Sequence, residues 1–203
     1  TLSAVLEHRR SLRRYGAPPI QRRQLGELLF RSARIVDRVA TDEGGLTRRP
    51  YPSGGALHAL EIYPLVVNCV SLAPALWRYL PGPHALAPVA PPGHKLERLL
   101  EDARQALQAT ERPQVLLIVT ARFARVAWKY ESLAYALLLK ELGALLQTLY
   151  LVATDMDLAP CAIGSGDSDV FAQAAGLDYL VEGAIGEMAV GSRASAPETG
   201  ETW

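Results

Sequence analysis

The chain has little cysteine, little lysine and no long uncharged run, and each shortage removes a class of function. Cys69 and Cys161 are its two cysteines in 203 residues, which leaves neither a disulfide framework nor a cysteine zinc site. Lysine occurs three times, at Lys95, Lys129 and Lys140, against eighteen arginines, so a lysine here is a minority choice. The opening holds no apolar run behind a basic start, as a secretory signal would, and reads as a charged helix. The longest uncharged apolar stretch, Leu142–Thr154, is 13 residues, too short to span a bilayer, and reads as a buried core helix. Net charge is missing too, since 21 basic and 21 acidic side chains cancel. A wholesale nucleic-acid binder is excluded on that ground. What remains is an enzyme or binding domain of a reducing compartment, expected in the cytoplasm without a membrane segment.

The size suits one domain, and 49% hydrophobic residues supply a core. The zero charge hides an asymmetry. Residues 1–49 carry eleven arginines against five acids, a net of +6, and the remainder carries −6. An arginine-rich front end wants an anionic partner.

Periodicity predicts a helix over about Leu2–Arg13, a second over Gln21–Val36, a long polar loop over 37–55 and a short helix at Ala56–Leu60. Strands are expected at Glu61–Asn68, Ala75–Leu80, Val115–Ala121, Leu158–Ile163 and Leu180–Val190. Helices are expected at Lys95–Ala109, Glu131–Thr154 and Asp167–Ala175, with a proline-rich connection over Pro88–Gly93. Val115–Ala121 is continuously apolar, as a strand buried on both faces must be. The expectation is one α+β domain over 1–193, its longest helix central, and a linker-like tail over 194–203.

Four motifs offer chemistry. Arg9-Arg10-Ser11-Leu12-Arg13-Arg14-Tyr15 puts guanidinium forks and a hydroxyl within reach of one phosphate, with Arg9 and Arg13 on one helix face; a solvated basic face is the alternative. Pro52-Ser53-Gly54-Gly55-Ala56-Leu57-His58 combines stiff prolines with glycines that admit a close ligand, or is an ordinary turn. Its His58 and Glu61 have an H-x-x-E spacing, but no cluster completes a metal site. Lys129-Tyr130 pairs an ammonium with a phenol, which favours the phenolate as a base, or is a surface lysine beside a half-buried tyrosine. Gly164-Ser165-Gly166-Asp167 offers backbone amides at a helix start, or is a capped strand-to-helix turn. Its spacing is not G-x-G-x-x-G, and no phosphate-binding G-x-x-x-x-G-K-[ST] occurs.

In this order the four pieces resemble the FMN-dependent nitroreductase-like superfamily, and more closely its SagB/McbC-type azoline dehydrogenases. The resemblance spans about Leu2 to Arg193. Arg9–Tyr15 is similar to the family's R-R-S-x-R-x-[FY] flavin-phosphate motif, and Pro52–His58 with Glu61-Ile62-Tyr63 to its P-S-G-G-x-x-x-P-x-E-x-Y signature, with Ala59 where a proline is usual. The resemblance implies a nitroreductase-like fold, a central mostly antiparallel sheet flanked by helices. It implies that Arg9, Ser11 and Arg13 hold the FMN phosphate, joined by Arg193, with Arg10 near the ribityl chain. Ser53 and Gly54 would lie along the flavin, and Gly164 and Ser165 would meet its N5 and O4 edge. It also implies a homodimer sharing the flavin across a two-fold axis, the long central helix serving as interface.

The implied reaction oxidises a peptide thiazoline or oxazoline to the thiazole or oxazole. Tyr130 is the base candidate, with Lys129 second. The lack of a peptide-clamp region and the start at Thr1 favour an oxidase domain excised from a nonribosomal peptide synthetase, its azoline tethered to a carrier protein, over a partner in ribosomal peptide modification. An NAD(P)H-fed nitro or quinone reductase and a flavin-free scaffold subunit are the alternatives. Loop 37–52 is the expected place for substrate selection. Arg22, Arg23, Arg31, Arg34 and Arg38 are left over, as a solvated helix face or a dock for an acidic carrier.

Overall fold

Val-Leu-Leu-Ile-Val-Thr-Ala needs cover on both sides, and the sheet grows outward from it. The structure, a computed structural model, describes residues 1–40 and 45–195. In chain order it comprises α1 (Leu2–His8), α2 (Arg22–Ala33), a hairpin of β1 (Asp37–Val39) and β2 (Leu46–Arg48), a 3-10 turn at Gly54–Ala56, β3 (Leu60–Val66), β4 (Ala75–Leu80) and β5 (Ala85–Ala90). Then follow α3 (His94–Ala106), β6 (Val115–Arg122), α4 (Ala124–Tyr130), a second 3-10 turn at Glu131–Leu133, α5 (Ala134–Asp155), β7 (Leu158–Ile163), α6 (Ser168–Ala175) and β8 (Glu182–Ser192). Strands β3 to β8 form one sheet in the order β5-β4-β3-β6-β8-β7, with every neighbouring pair antiparallel. This is the expected α+β arrangement, a central antiparallel sheet flanked by helices.

Side chains alternate across β6. Val115, Leu117, Val119 and Ala121 join the core under α2 and α5, while Leu116 and Ile118 join the core under α3 and α6. By length and composition the helical run Ala124–Asp155 would also suffice to cross a bilayer. In this fold α5 buries Leu138, Leu142, Leu145 and Leu149 in the core on one face of the sheet.

Several expected elements differ, each for a local reason. The first helix stops at His8, five residues early, because Arg9 turns extended (φ −60°, ψ 121°) and the Leu12 N–H donates to Pro160 O at 2.8 Å. The arm thereby covers the open edge of β7. Arg9 and Arg13 therefore do not share a helix face. The second helix ends at Ala33 rather than Val36, and loop 37–52 contains the β1–β2 hairpin; its residues 41–44 lie outside the described residues. The Pro88 connection is largely strand β5, an edge strand, where a proline lacks no needed donor. The long helix begins at Ala134 rather than Glu131, and an unexpected α4 precedes it, ended by the φ of +47° at Glu131. Of the tail 194–203, positions 196–203 lie outside the described residues.

One buried amide ties the N-terminal arm to the sheet. Gln114 accepts from the backbone N–H of Ile20 (2.8 Å) and Ser192 (2.9 Å). Its amide nitrogen donates to Gly16 O (3.0 Å) and to Ser192 Oγ (3.2 Å). Removing it strands buried groups at about 1–3 kcal/mol each, before relaxation. Gln114→Leu should therefore lower unfolding stability by at least about 2 kcal/mol, read as a shift in the urea midpoint at unchanged slope.

Candidate functional site

Helix α5 buries two polar side chains, and each gathers part of the predicted site. The first is Tyr150. Its hydroxyl accepts from Ala162 N–H (2.7 Å) and lies 2.8 Å from Ser11 Oγ. The phenol oxygen already takes the Ala162 N–H, and either hydroxyl can donate across its contact with Ser11. The Arg9 guanidinium stands over the Tyr150 ring, 5.3 Å from its centroid. Among the described residues no carboxylate pairs with Arg9 or Arg10; Arg10 is exposed and Arg13 half-buried. Arg193 bridges to Tyr15 through the backbone and pairs with Asp157 at 2.8 Å, so its charge is partly used. Gly164 and Ser165 follow β7 directly, two and three residues beyond Ala162, and both are exposed. A Cβ on Gly164 would meet nothing, so the turn is open.

The second is Glu141. Ser53 Oγ–H donates to Glu141 Oε2 at 2.7 Å and accepts from His58 N–H at 2.9 Å. The Ser53 loop then makes its 3-10 turn, with Gly55 at φ +61°. Only glycine suits that position twice over, because a Cβ there would lie 2.9 Å from Tyr130 Oη and 3.6 Å from Lys129 Nζ. A Cβ on Gly54 would make only ordinary contacts, with Leu137 at 3.8 Å and Tyr130 Cε2 at 3.9 Å. Ser53, Gly54, Lys129 and Tyr130, far apart in sequence, thus converge. Arg125, one helical turn before Lys129 on α4, donates from Nε to Leu57 O at 2.5 Å.

The surroundings of Glu141 are dry. Burial pushes its carboxyl pKa up, against the pull of Ser53, Arg49 and Arg125. Burial likewise pushes His58 down to about 4, aided by Arg49, so its ring is neutral at pH 7. His58 Nδ1 and Glu141 Oε1 face each other at 4.0 Å, both without a hydrogen bond. Glu61 turns away to Arg78 (3.3 Å), and Tyr63 donates to Glu182 (2.7 Å), so the E-x-Y part of the signature belongs to a polar network on the other face of the sheet.

These clusters lie on opposite sides of α5. Nine residues separate Glu141 from Tyr150, a rotation of about 180° and a rise of about 13 Å. Arg9, Ser11 and the Gly164 turn are on one side; Ser53, Gly54, Lys129 and Tyr130 are on the other.

Sequence reasoning missed Glu141 and Glu187, and it weighed His58 only as a metal ligand. The signal for Glu141 was its place in the stripe Leu138, Leu142, Leu145, where a carboxyl must be buried. Glu187 lies on β8, opposite Ile163, beneath the turn: a Cβ on Gly166 would lie 2.8 Å from its Oε1. Beside that turn opens a cleft of about 610 Å³ lined by Phe123, Tyr135, Gly166, Tyr179, Leu180 and Ile185 among others.

The nitroreductase family profile matches residues 6–192. The chain belongs to the nitroreductase family. It is 30% identical over 166 residues to MJ1384 of Methanocaldococcus jannaschii, assigned as a nitroreductase, covering 81% of this chain and 78% of that protein. It is 31% identical over 129 residues to the microcin B17-processing protein McbC of Escherichia coli, which covers 61% of this chain and 47% of McbC. This chain therefore spans about half the length of McbC. The E. coli microcin synthetase McbBCD complex with truncated pro-MccB17 bound has a similar chain, with a TM-score of 0.70 at 25% identity over 88% of this chain and 65% of that one. A Desulfovibrio desulfuricans structure assigned as a nitroreductase, in complex with FMN, shares the fold at TM-score 0.60 and 14% identity, over 100% of this chain and 91% of that one. Nitroreductase-family proteins are flavin-type oxidoreductases.

Glu187 supplies a pH test of the floor under the turn. Burial, with a contribution from Asp102 on α3, raises its pKa to about 8, well above the ~4.3 of an exposed glutamate. The fold thus holds a proton that the unfolded chain releases, and stability falls as pH rises between those values. Glu187→Gln should flatten that fall and exceed the wild type in urea stability at pH 8.5, with the two nearly equal at pH 4.5.

Proposed function

We propose that this nitroreductase-family chain is an FMN-dependent, SagB/McbC-type dehydrogenase that oxidises a peptide thiazoline or oxazoline ring to the aromatic azole. The observation that carries the reading is the seating of Lys129 and Tyr130 on the Ser53–Gly55 loop. The likeness to McbC, a microcin-processing protein, supports a peptide substrate.

The residues present fit FMN. Arg9, Arg10, Arg13 and Ser11 offer donors along one arm, and among the described residues no carboxylate pairs with Arg9 or Arg10, which suits a phosphate dianion. Arg193 would join them by leaving Asp157, and the open Gly164–Ser165 turn would offer its amides to the ring edge. Ser53 and Gly54 would line the ring. Bound FMN supplies the two-electron acceptor that takes the hydride from the substrate ring.

Tyr130 Oη is the base that removes the acidic ring proton, which lies next to a carbonyl and an imine. Lys129 Nζ, 5.9 Å from the Tyr130 ring centroid, places positive charge beside the oxygen that takes the proton. General-base assistance of this kind is worth ~10²–10⁴ in rate. The cleft beside Gly166, with Phe123, Tyr135 and Tyr179 on its apolar part and Asp167, Ser168 and Asp169 on its polar part, suits the ring and its neighbouring side chains.

Because α5 separates the two clusters, one FMN would draw its phosphate contacts from one copy and its Lys129–Tyr130 side from a second. The exposed apolar residues Leu2, Leu6, Leu133, Tyr135 and Leu139 on α1, α5 and the turn between α4 and α5 support such a homodimer. The setting within a nonribosomal synthetase, with a carrier-bound substrate, is the finer form of the proposal.

The likeness to MJ1384 favours a second reading, an NAD(P)H-fed nitro or quinone reductase. Anaerobic NADPH separates the two: the azoline dehydrogenase keeps its ~450 nm flavin band, whereas a reductase bleaches rapidly. On a thiazoline-containing peptide, Lys129→Ala and Tyr130→Phe should retain FMN and lose about 10²-fold or more in turnover. Arg13→Ala should lose FMN itself. Full turnover by both Lys129→Ala and Tyr130→Phe would contradict the catalytic assignment.

A further inference from the structure

Why does an apolar helix at the centre of the fold bury a glutamate? Glu141 lies among Leu138, Leu142 and Leu145, and a leucine there would spare the desolvation of a carboxyl. Besides a further hold from the Ala59 backbone, its carboxyl accepts from Ser53, whose oxygen also receives the His58 amide. That pair of bonds fixes both ends of the loop 53–58. Between those ends Gly55 adopts φ +61° and presents its backbone to Tyr130 Oη and Lys129 Nζ. Arg125 pins the far side of the same loop to α4 through Leu57 O. The loop is clamped from α5 by Glu141 and from α4 by Arg125, and Lys129 and Tyr130 sit at the end of the clamped α4, where Glu131 breaks the helix.

We propose that Glu141 is a positioning residue: acting through Ser53, it sets the loop on which Lys129 and Tyr130 are seated. It touches neither group itself. What the seat requires is an acceptor at Oε2, which a glutamine also provides, and not the negative charge. The proposal rests on the functional reading for its kinetic consequence, but the seat itself is tested without substrate.

The readout is Lys129 reactivity. With three lysines in the chain, limiting acetic anhydride followed by peptide mass mapping reports Lys129 against Lys95, which lies on α3. Glu141→Ala should change the Lys129/Lys95 labelling ratio by about threefold or more, and Glu141→Gln should return it to near the wild-type ratio. Should Glu141→Ala fail to fold, Ser53→Ala cuts the same link and should shift the ratio the same way. In turnover of a thiazoline peptide, Glu141→Ala should lower kcat at least about tenfold with little change in KM, as misplacement of a base does, and Glu141→Gln should recover most of it. An unchanged ratio in both Glu141→Ala and Ser53→Ala overturns the proposal, as does a Glu141→Gln as disturbed as Glu141→Ala. If wild type shows no azoline turnover, the functional reading fails while the labelling ratio still decides the role of Glu141.

Discussion

A 22-residue apolar helix must bury at least one face, and the arrangement of this protein follows from how α5 does so. One face lies against the sheet, and α2 and the N-terminal segment pack around it. Two polar groups go under with it, half a helical circumference apart. Tyr150 faces the arm and β7, and Glu141 faces the Ser53 loop. Neither can be left unpaired in so dry a setting, so each recruits a hydroxyl from a distant segment, Ser11 in one case and Ser53 in the other. The two recruited serines carry with them the arginine arm and the Ser53–Gly55 loop.

Much of this was legible in the residues. Val115–Ala121 could only be a strand covered twice, and Ala75–Leu80 and Leu158–Ile163 were placed where the chain forms them, because apolar runs between turn signals specify short strands. The arginine arm has side chains that suit a helix, yet the chain turns extended at Arg9. Its conformation is decided by a nonlocal bond to Pro160, which no local window contains. The hairpin at Asp37 to Arg48 and strand β5 were likewise hidden, since polar or proline-bearing edge strands lack the alternation that marks central ones.

At the site, the motifs pointed to Ser53, Gly54, Lys129 and Tyr130 as separate signals, and the fold gathers them at Gly55. The motifs did not reveal what holds them together. Glu141 and Glu187 are buried acids whose partners lie 88 and 21 residues away in sequence, at Ser53 and beneath Gly166, so their roles exist only in the folded chain. The front-end excess of arginine is divided by the fold. Arg9, Arg10 and Arg13 stay on the arm, whereas Arg31 is spent on Glu27 and Asp155, and Arg34 on the ring of Phe30.

In the proposed homodimer a working centre takes its arginine arm from one copy and its Lys129–Tyr130 side from another. A mixed dimer tests it. Arg13→Ala and Tyr130→Phe chains, carrying different tags, are co-expressed, and the species holding both tags is assayed on a thiazoline peptide. If the centre is shared, one of the two centres carries both substitutions and the other carries none, so the mixed dimer should show about half the wild-type turnover while either homodimer shows almost none. A mixed dimer as inactive as its parents would mean that arm and base belong to the same copy, and would contradict the account.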